Sequence, residues 1–400
     1  MNTQKFDTVI IGAGLVGLSV AYHLKIKEPK RKVLVIEKEI DIALHQSGHN
    51  SGVMHSGIYY KPGSLKASNC IAGYHALLKF ARENDIPHDV CGKIIVAVSQ
   101  NEIVGLNNIY ERGLKNGLTG LKKLSKDEIK EIEPHCNGIA AIAVPQTGII
   151  DYPKVARVLL DKFKTLGGCI SFGDEVVKIR DCNAEVAVET TKGQYITTSI
   201  ISCAGLFSDR VSKLTEGNNN SLSIIPFRGE YYKLRKEKAH LVKHLVYPVP
   251  DPNFPFLGVH FTRMISGGIE AGPNAVLAFK REGYKFTDYN VKDLGEILSW
   301  PGFWKIVGKY GKTGMGEIYR SLSKSAFTRA LQRLIPEIKE ADLVAGGAGV
   351  RAQACDRKGN LIDDFDILQR RNIIHVRNAP SPAATSSLSI GKFICDKILN

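Results

Sequence analysis

Paired cysteines are missing from this chain: its eight cysteines are scattered over 400 residues, with no CxxC and no clustering beside histidine. That argues against a disulfide framework and a thiolate metal centre, which both need sulfurs gathered at fixed spacing. The thiols are expected to stay reduced, as in a reducing compartment. Long apolar runs are missing too, and none approaches the roughly 20 residues of a membrane-spanning helix. The first strand is expected to begin after a few polar residues, leaving no room for a signal peptide. The expectation is therefore a cytoplasmic protein, with peripheral attachment to the inner membrane as the alternative. Acidic residues are in short supply, 40 against 54 Lys and Arg, for a net charge of +14. Such a balance favours anionic partners. No nucleic-acid-binding module accompanies it, so nucleic acid is set aside. Internal repeats and low-complexity tracts are absent as well.

What is present begins within the first twenty residues. The apolar run Val9–Ile11 leads into Gly12-Ala13-Gly14-Leu15-Val16-Gly17, and the next apolar run, Val33–Ile36, ends at Glu37. Strand, glycine turn, helix, strand and acid in this order read as a dinucleotide-binding unit. Gly12 permits the tight turn, Gly14 lets backbone approach a pyrophosphate, and Gly17 lets the helix sit close to the strand. The helix N-terminus offers free N–H groups to phosphate, and Glu37 suits an adenosine ribose.

Further segments favour a flavin over a nicotinamide. Glu37-Lys38 is followed by the loop His45–Gly52, whose Ser47, His49, Asn50 and Ser51 supply donors and close approach along a cofactor. Cys203-Ala204-Gly205 leaves room beside the phosphates and adenosine, and Asn378–Thr385 is a tight loop opening the last helix. A helix N-terminus aimed at the flavin's O2/N1 edge would stabilise the anionic reduced ring.

The length calls for two domains or one elaborated α/β unit. A closing helix that returns to the fingerprint implies a discontinuous cofactor domain. The expected class is α/β: a Rossmann-like FAD-binding domain from 1–90, 145–218 and 343–400, with an inserted α+β substrate domain on an antiparallel sheet from 91–144 and 219–342. Within the latter, 287–340 reads as helical and basic.

Gly48–Tyr60 followed by Pro62–Ala67, together with Pro255–Arg263, Gly349–Gln353 and Asn378–Ser387, resembles the L-2-hydroxyglutarate oxidase/dehydrogenase family of D-amino-acid-oxidase-like flavoproteins. The resemblance spans essentially the whole chain. It implies FAD as cofactor, L-2-hydroxyglutarate as substrate, 2-oxoglutarate as product, and oxygen or a membrane quinone as electron acceptor. A base must take the hydroxyl proton while hydride passes to flavin N5. The two substrate carboxylates need cationic or multiply donating anchors, a task suited to arginine's planar fork.

Arg351 is the expected anchor beside the reacting carbon. His260 is the expected base and His55 its competitor. Arg228, Tyr60, Lys61 and Arg263 are candidates for the distal carboxylate. The expected cofactor contacts are Gly12, Gly14, Gly17, Glu37, Lys38, Ser47, His49, Asn50, Ser51, Val176, Ala204, Gly205, Gly349, Ser381, Ala383, Ala384 and Thr385, and no metal ligand is expected. Rival readings are a sister oxidase of glycine or sarcosine, oxidation of glycerol 3-phosphate or malate, and a non-catalytic flavoprotein redox sensor. Finally, Ser299–Leu334 mixes Lys305, Lys309, Lys312, Arg320, Lys324, Arg329 and Arg333 with Trp300, Phe303, Trp304 and Tyr310. That composition suits either a helical flap with core aromatics or contact with an anionic membrane surface carrying quinone.

Overall fold

Three sheets organise the chain in the computed structural model, which describes residues 4–182, 184–217, 221–251 and 257–399. Asn183, a turn signal in the sequence, and Pro255 and Phe256, part of a family-like segment, lie outside the described residues.

The first sheet has eight strands and centres on Gln4–Ile11, which pairs in parallel with Val33–Ile36 on one side and Gln194–Ser202 on the other. Cys169–Ser171 extends it in parallel beyond Val33–Ile36. The long strand Gln194–Ser202 also pairs antiparallel with Glu185–Thr190 through its first half, and in parallel with Ile373–Asn378 through its second. Its central strands are apolar on both faces because both faces are covered. Ile10, Val33 and Val35 pack with the helices Leu15–Lys27, Tyr152–Thr165 and Ser387–Leu399, while Val9, Ile11, Leu34 and Ile36 pack on the opposite side.

The second sheet has nine strands and is antiparallel except where Leu245–Pro248 runs parallel to Lys93–Ala97. Its longest ladder joins Leu222–Leu234 to Leu343–Asp356. This corrects the expected assignment of 343–356 to the cofactor domain. The strand pairs from Leu343 to Asp356 inside the second sheet, and only Asp366–Arg370 and Ile373–Asn378 return to the first. Continuity with the C-terminal segment expected to bind the cofactor concealed that long-range pairing. A small sheet of Val53–Met54, Gly148–Ile150 and His88–Asp89 completes the set.

The segment 287–340 contains the helices Val291–Ser299, Pro301–Leu322 and Lys324–Gln332. Trp300 and Phe303 are buried with Ile225 and Cys355, as core aromatics, whereas Trp304 is exposed. Between the helix Ser208–Glu216 and this helical region stands a buried ionic pillar. Arg281 donates to both carboxylate oxygens of Asp209 at 2.6 and 2.9 Å and to Glu296 at 3.0 Å.

Candidate active site

One elongated cavity of about 900 Å³ runs from the glycine turn to the second sheet. At its first end, Gly12 has φ +101°, and a Cβ there would stand 2.5 Å from the Cys203 carbonyl oxygen. A Cβ on Gly17 would stand 2.0 Å from the Gly12 carbonyl oxygen, so only glycine lets the helix approach the strand this closely. The helix Leu15–Lys27 starts at Gly14 with no side-chain cap, although Ser47 Oγ accepts a bond from the Leu15 N–H. Glu37 accepts from the Ala13 N–H at 2.7 Å and the Glu39 N–H at 3.0 Å, which holds its carboxylate at the turn.

Lys38 joins Glu39, His45 and Glu282 in a compact cluster that also lines the cavity. Burial works against the charged forms of Lys38 and His45, but the hydrogen bonds they donate to the neighbouring carboxylates outweigh it and raise the proton affinity of both. His45 and His49 both stack on Tyr284, linking the loop after the second strand to the segment that carries Glu282.

Most expected cofactor contacts meet along this cavity: Gly12, Gly14, Glu37, Lys38, Ser47, His49, Asn50, Ser51, Val176, Ala204, Gly205, Gly349, Ser381, Ala383 and Ala384 line it. Gly17 and Thr385 act from behind the wall. Thr385 is fully buried, accepts from the His55 N–H at 3.1 Å and shares a hydrogen bond with the Tyr152 hydroxyl at 2.8 Å. Asn50 spends its amide on the Gln46 and Ser47 carbonyls, so it shapes its own loop. The uncapped helix start, the glycines and the long cavity fit a dinucleotide laid along it.

At the other end the cavity is lined by His55, Tyr59, Tyr60, Lys66, Tyr231, Tyr247, His260 and Arg351. Strand register brings several of them together. Arg351 lies opposite Phe227 and Gly349 opposite Gly229 in the long ladder. The Arg351 guanidinium donates to the Asn274 carbonyl at 3.3 Å and passes over Gly229, where a Cβ would come within 3.0 Å of Nη1. His260 Nδ1 lies 3.0 Å from the Gly258 carbonyl, which makes Nδ1 the donor and leaves the lone pair on Nε2. Burial pushes the His260 imidazole down to about 4 and that of His55 down to about 3, with nearby cations adding to the effect. Both rings are neutral at pH 7.

Three candidates for the distal carboxylate fall elsewhere. Arg228 is fully buried but pairs with Glu230 at 3.0 Å and donates to the Lys285 carbonyl at 2.9 Å. It alternates with Gly229 and Tyr231 along one strand, so its side chain points to the opposite face. Arg263 pairs with Asp89, and Lys61 is exposed outside the cavity. Tyr60 does line it, beneath the Lys66 ammonium, which is 5.0 Å from its ring.

The FAD dependent oxidoreductase family profile matches residues 7–397. An L-2-hydroxyglutarate dehydrogenase from Indibacter alkaliphilus is 57% identical over 391 residues, covering 98% of both chains. The chain belongs to this family of FAD-dependent oxidoreductases. The mitochondrial L-2-hydroxyglutarate dehydrogenase of Homo sapiens is 46% identical, covering 99% of this chain and 89% of that one. The FAD-bound L-alpha-glycerophosphate oxidase of Mycoplasma pneumoniae shares the fold of this family member, with a TM-score of 0.81 at 21% identity over 100% of this chain and 96% of the other.

Sequence reading of this FAD-dependent oxidoreductase missed Lys93, Tyr59, Tyr231, Tyr247 and Gly229. Lys93 opens a strand that is buried at every position, and burial pushes its ammonium down to about 7. A lysine heading the apolar run Ile94–Ala97 was the one available signal.

Proposed function

We propose that this chain catalyses FAD-dependent oxidation of L-2-hydroxyglutarate to 2-oxoglutarate. The observation that carries this reading is the meeting of Arg351, His55 and the buried His260 at one end of a cavity whose other end is the glycine turn. The names of the close relatives support the substrate. Bound FAD supplies the two-electron acceptor for the carbinol hydride. Arg351 would take the carboxylate beside the reacting carbon in a bidentate fork, orienting the C–H bond. His260 would accept the hydroxyl proton at Nε2, since Nδ1 is committed to Gly258. His55 faces the same space as a neutral ring and is the alternative base. The tyrosines exclude water, and burial raises the pKa of the Tyr59 and Tyr60 phenols well above its usual value, so they donate rather than ionise.

Anaerobic addition of L-2-hydroxyglutarate to the FAD-loaded protein should bleach the flavin, and its D enantiomer should not. Bleaching by glycine, sarcosine, glycerol 3-phosphate or malate, with none by L-2-hydroxyglutarate, would overturn the substrate. Stoichiometric FAD reduced by none of them would favour a redox sensor.

We also propose that electrons leave to oxygen or to a membrane quinone, with anionic lipid contacting the helix Pro301–Leu322. Among the described residues no helix is long and apolar enough to cross a membrane, so such contact would be peripheral. Trp304, Val307, Met315, Ile318, Tyr319 and Leu322 are exposed at helical spacing along one face, over about 27 Å. Exposed Lys305 and Lys309 flank the stripe, matching an anionic surface. Vesicles containing phosphatidylglycerol should retain the protein at low salt, and purely zwitterionic vesicles should not. A Met315→Glu/Leu322→Glu variant should stay in the supernatant. Equal retention of that variant, or a concentration-dependent dimer that it abolishes, would refute the lipid assignment.

A further inference from the structure

Oxidation of a dicarboxylic hydroxy acid leaves one carboxylate beyond the reach assigned to Arg351, and the cavity must hold it. Lys66 is the cavity-lining lysine at this end, but its ammonium sits 2.7 Å from Asp363 and is already neutralised. Lys93 has a different environment. It is 3% exposed, and among the described residues no carboxylate pairs with it. Its ammonium lies 4.5 Å from the Tyr59 ring centroid and 4.9 Å from that of Tyr247, and both rings line the cavity.

Lys93 pairs across the sheet with Leu245, and it shares a face with Ile95 and Tyr247 by strand alternation. It therefore stands one side chain behind the wall. The titratable groups facing it are the two tyrosines, His55, His260 and Cys70. None is an anion at neutral pH: burial pushes the Cys70 thiol up to about 12, and both imidazoles are neutral. The Tyr59 hydroxyl is also buried with no hydrogen-bond partner among the described residues. Among the described residues this buried ammonium has no counter-ion and the buried phenol beside it no acceptor, so both lack an anion.

We infer that Lys93 is the positioning charge that selects a dicarboxylate, acting on the second carboxylate from behind Tyr59 and Tyr247, with the Tyr59 hydroxyl as direct donor. This rests on the hydroxy-acid reading above. A monocarboxylate would leave both groups unsatisfied, so discrimination comes from the cost of that unmet pairing. Because the ammonium is easily deprotonated in the free site, arrival of a dianion should draw a proton onto it.

The test uses the FAD-loaded protein with glutarate and butyrate as non-reacting probes. Calorimetry at pH 8 in two buffers of different ionisation enthalpy should show uptake approaching one proton with glutarate and little with butyrate. Lys93→Met keeps the buried methylenes and removes the charge. It should abolish the uptake and weaken glutarate roughly 10- to 100-fold while leaving butyrate within a few-fold. KM for L-2-hydroxyglutarate should rise in parallel, with kcat changed far less. Tyr59→Phe should weaken glutarate with uptake preserved, and it tests the same site if Lys93→Met fails to retain FAD. Unchanged glutarate affinity and proton uptake in Lys93→Met would overturn the inference. If L-2-hydroxyglutarate bleaches the flavin but Lys93→Met matches the parent, only this inference falls. Should glutarate binding depend on Lys93 while L-2-hydroxyglutarate fails to bleach, the dicarboxylate site stands and the reaction assigned above falls.

Discussion

Lowering the pH from 7.5 to 5.5 should remove about 4 kcal/mol of the stability that three buried histidines give the FAD-loaded protein, with His45, whose proton affinity is raised, acting in the opposite sense. The magnitude comes from three histidines whose burial pushes them down to about 3 for His55 and about 4 for His260 and His375. In the unfolded chain each would titrate near 6.5. The folded pKa lies below the unfolded one, so the unfolded chain binds protons that the native state refuses, and stability falls as pH drops below about 6.5. Each histidine then costs about 1.4 kcal/mol at pH 5.5 and about 2.6 at pH 4.5, a large share of a typical total of 5–15 kcal/mol. Urea titrations followed by the fluorescence of Trp300 and Trp304, at pH 7.5, 6.5 and 5.5, would read this directly. His375 lies outside the cavity and bonds the Thr215 hydroxyl at 2.7 Å, so His375→Asn should remove about one third of the pH slope without altering substrate binding. Stability that is flat between pH 7.5 and 5.5, or a slope unaffected by His375→Asn, would refute the reasoning.

Three further outcomes follow from close contacts. Gly17→Ala forces a Cβ against the Gly12 carbonyl and should lower the flavin-to-protein absorbance ratio, since the turn must open. Gly229→Ala should displace the Arg351 guanidinium, raising KM by roughly 10- to 100-fold with FAD retained; kinetics on the intact holoenzyme would check it. Arg281→Met strands buried Asp209 and should cost about 3–5 kcal/mol in urea denaturation, much of which a second change, Asp209→Asn, should recover.

The glycine turn, Glu37 and the loops at 45–52 and 378–385 were legible in the sequence because their information is local. Each is a short run whose backbone needs can be read from residue type. Arg351 and His260, which both line the cavity, were picked out through the family-like segments around them. Strand register was not legible. Arg228 carried a suitable side chain but sits one position out of phase with Tyr231, so the sheet turns it away. Leu343–Asp356 follows the helical region and precedes the cavity-lining loop at 378–385, and nothing local in it declares that it pairs more than a hundred residues back. Lys93 and the pair Arg281–Asp209 were hidden for the same reason, since their partners are distant in the chain.

The ladder between Leu222–Leu234 and Leu343–Asp356 has one more consequence. Arg351 is fastened in the middle of a two-strand girder with partners on both sides of it, from Leu222↔Asp356 to Leu234↔Leu343. To move the Arg351 backbone along the cavity, the protein would have to slide the girder by a whole residue, presenting Val350 or Ala352 in its place. The root of the proposed carboxylate grip is thus indexed in discrete steps, and under that proposal neighbouring chain lengths of substrate would be accommodated at the far wall, by Tyr59, Tyr247 and the residues behind them.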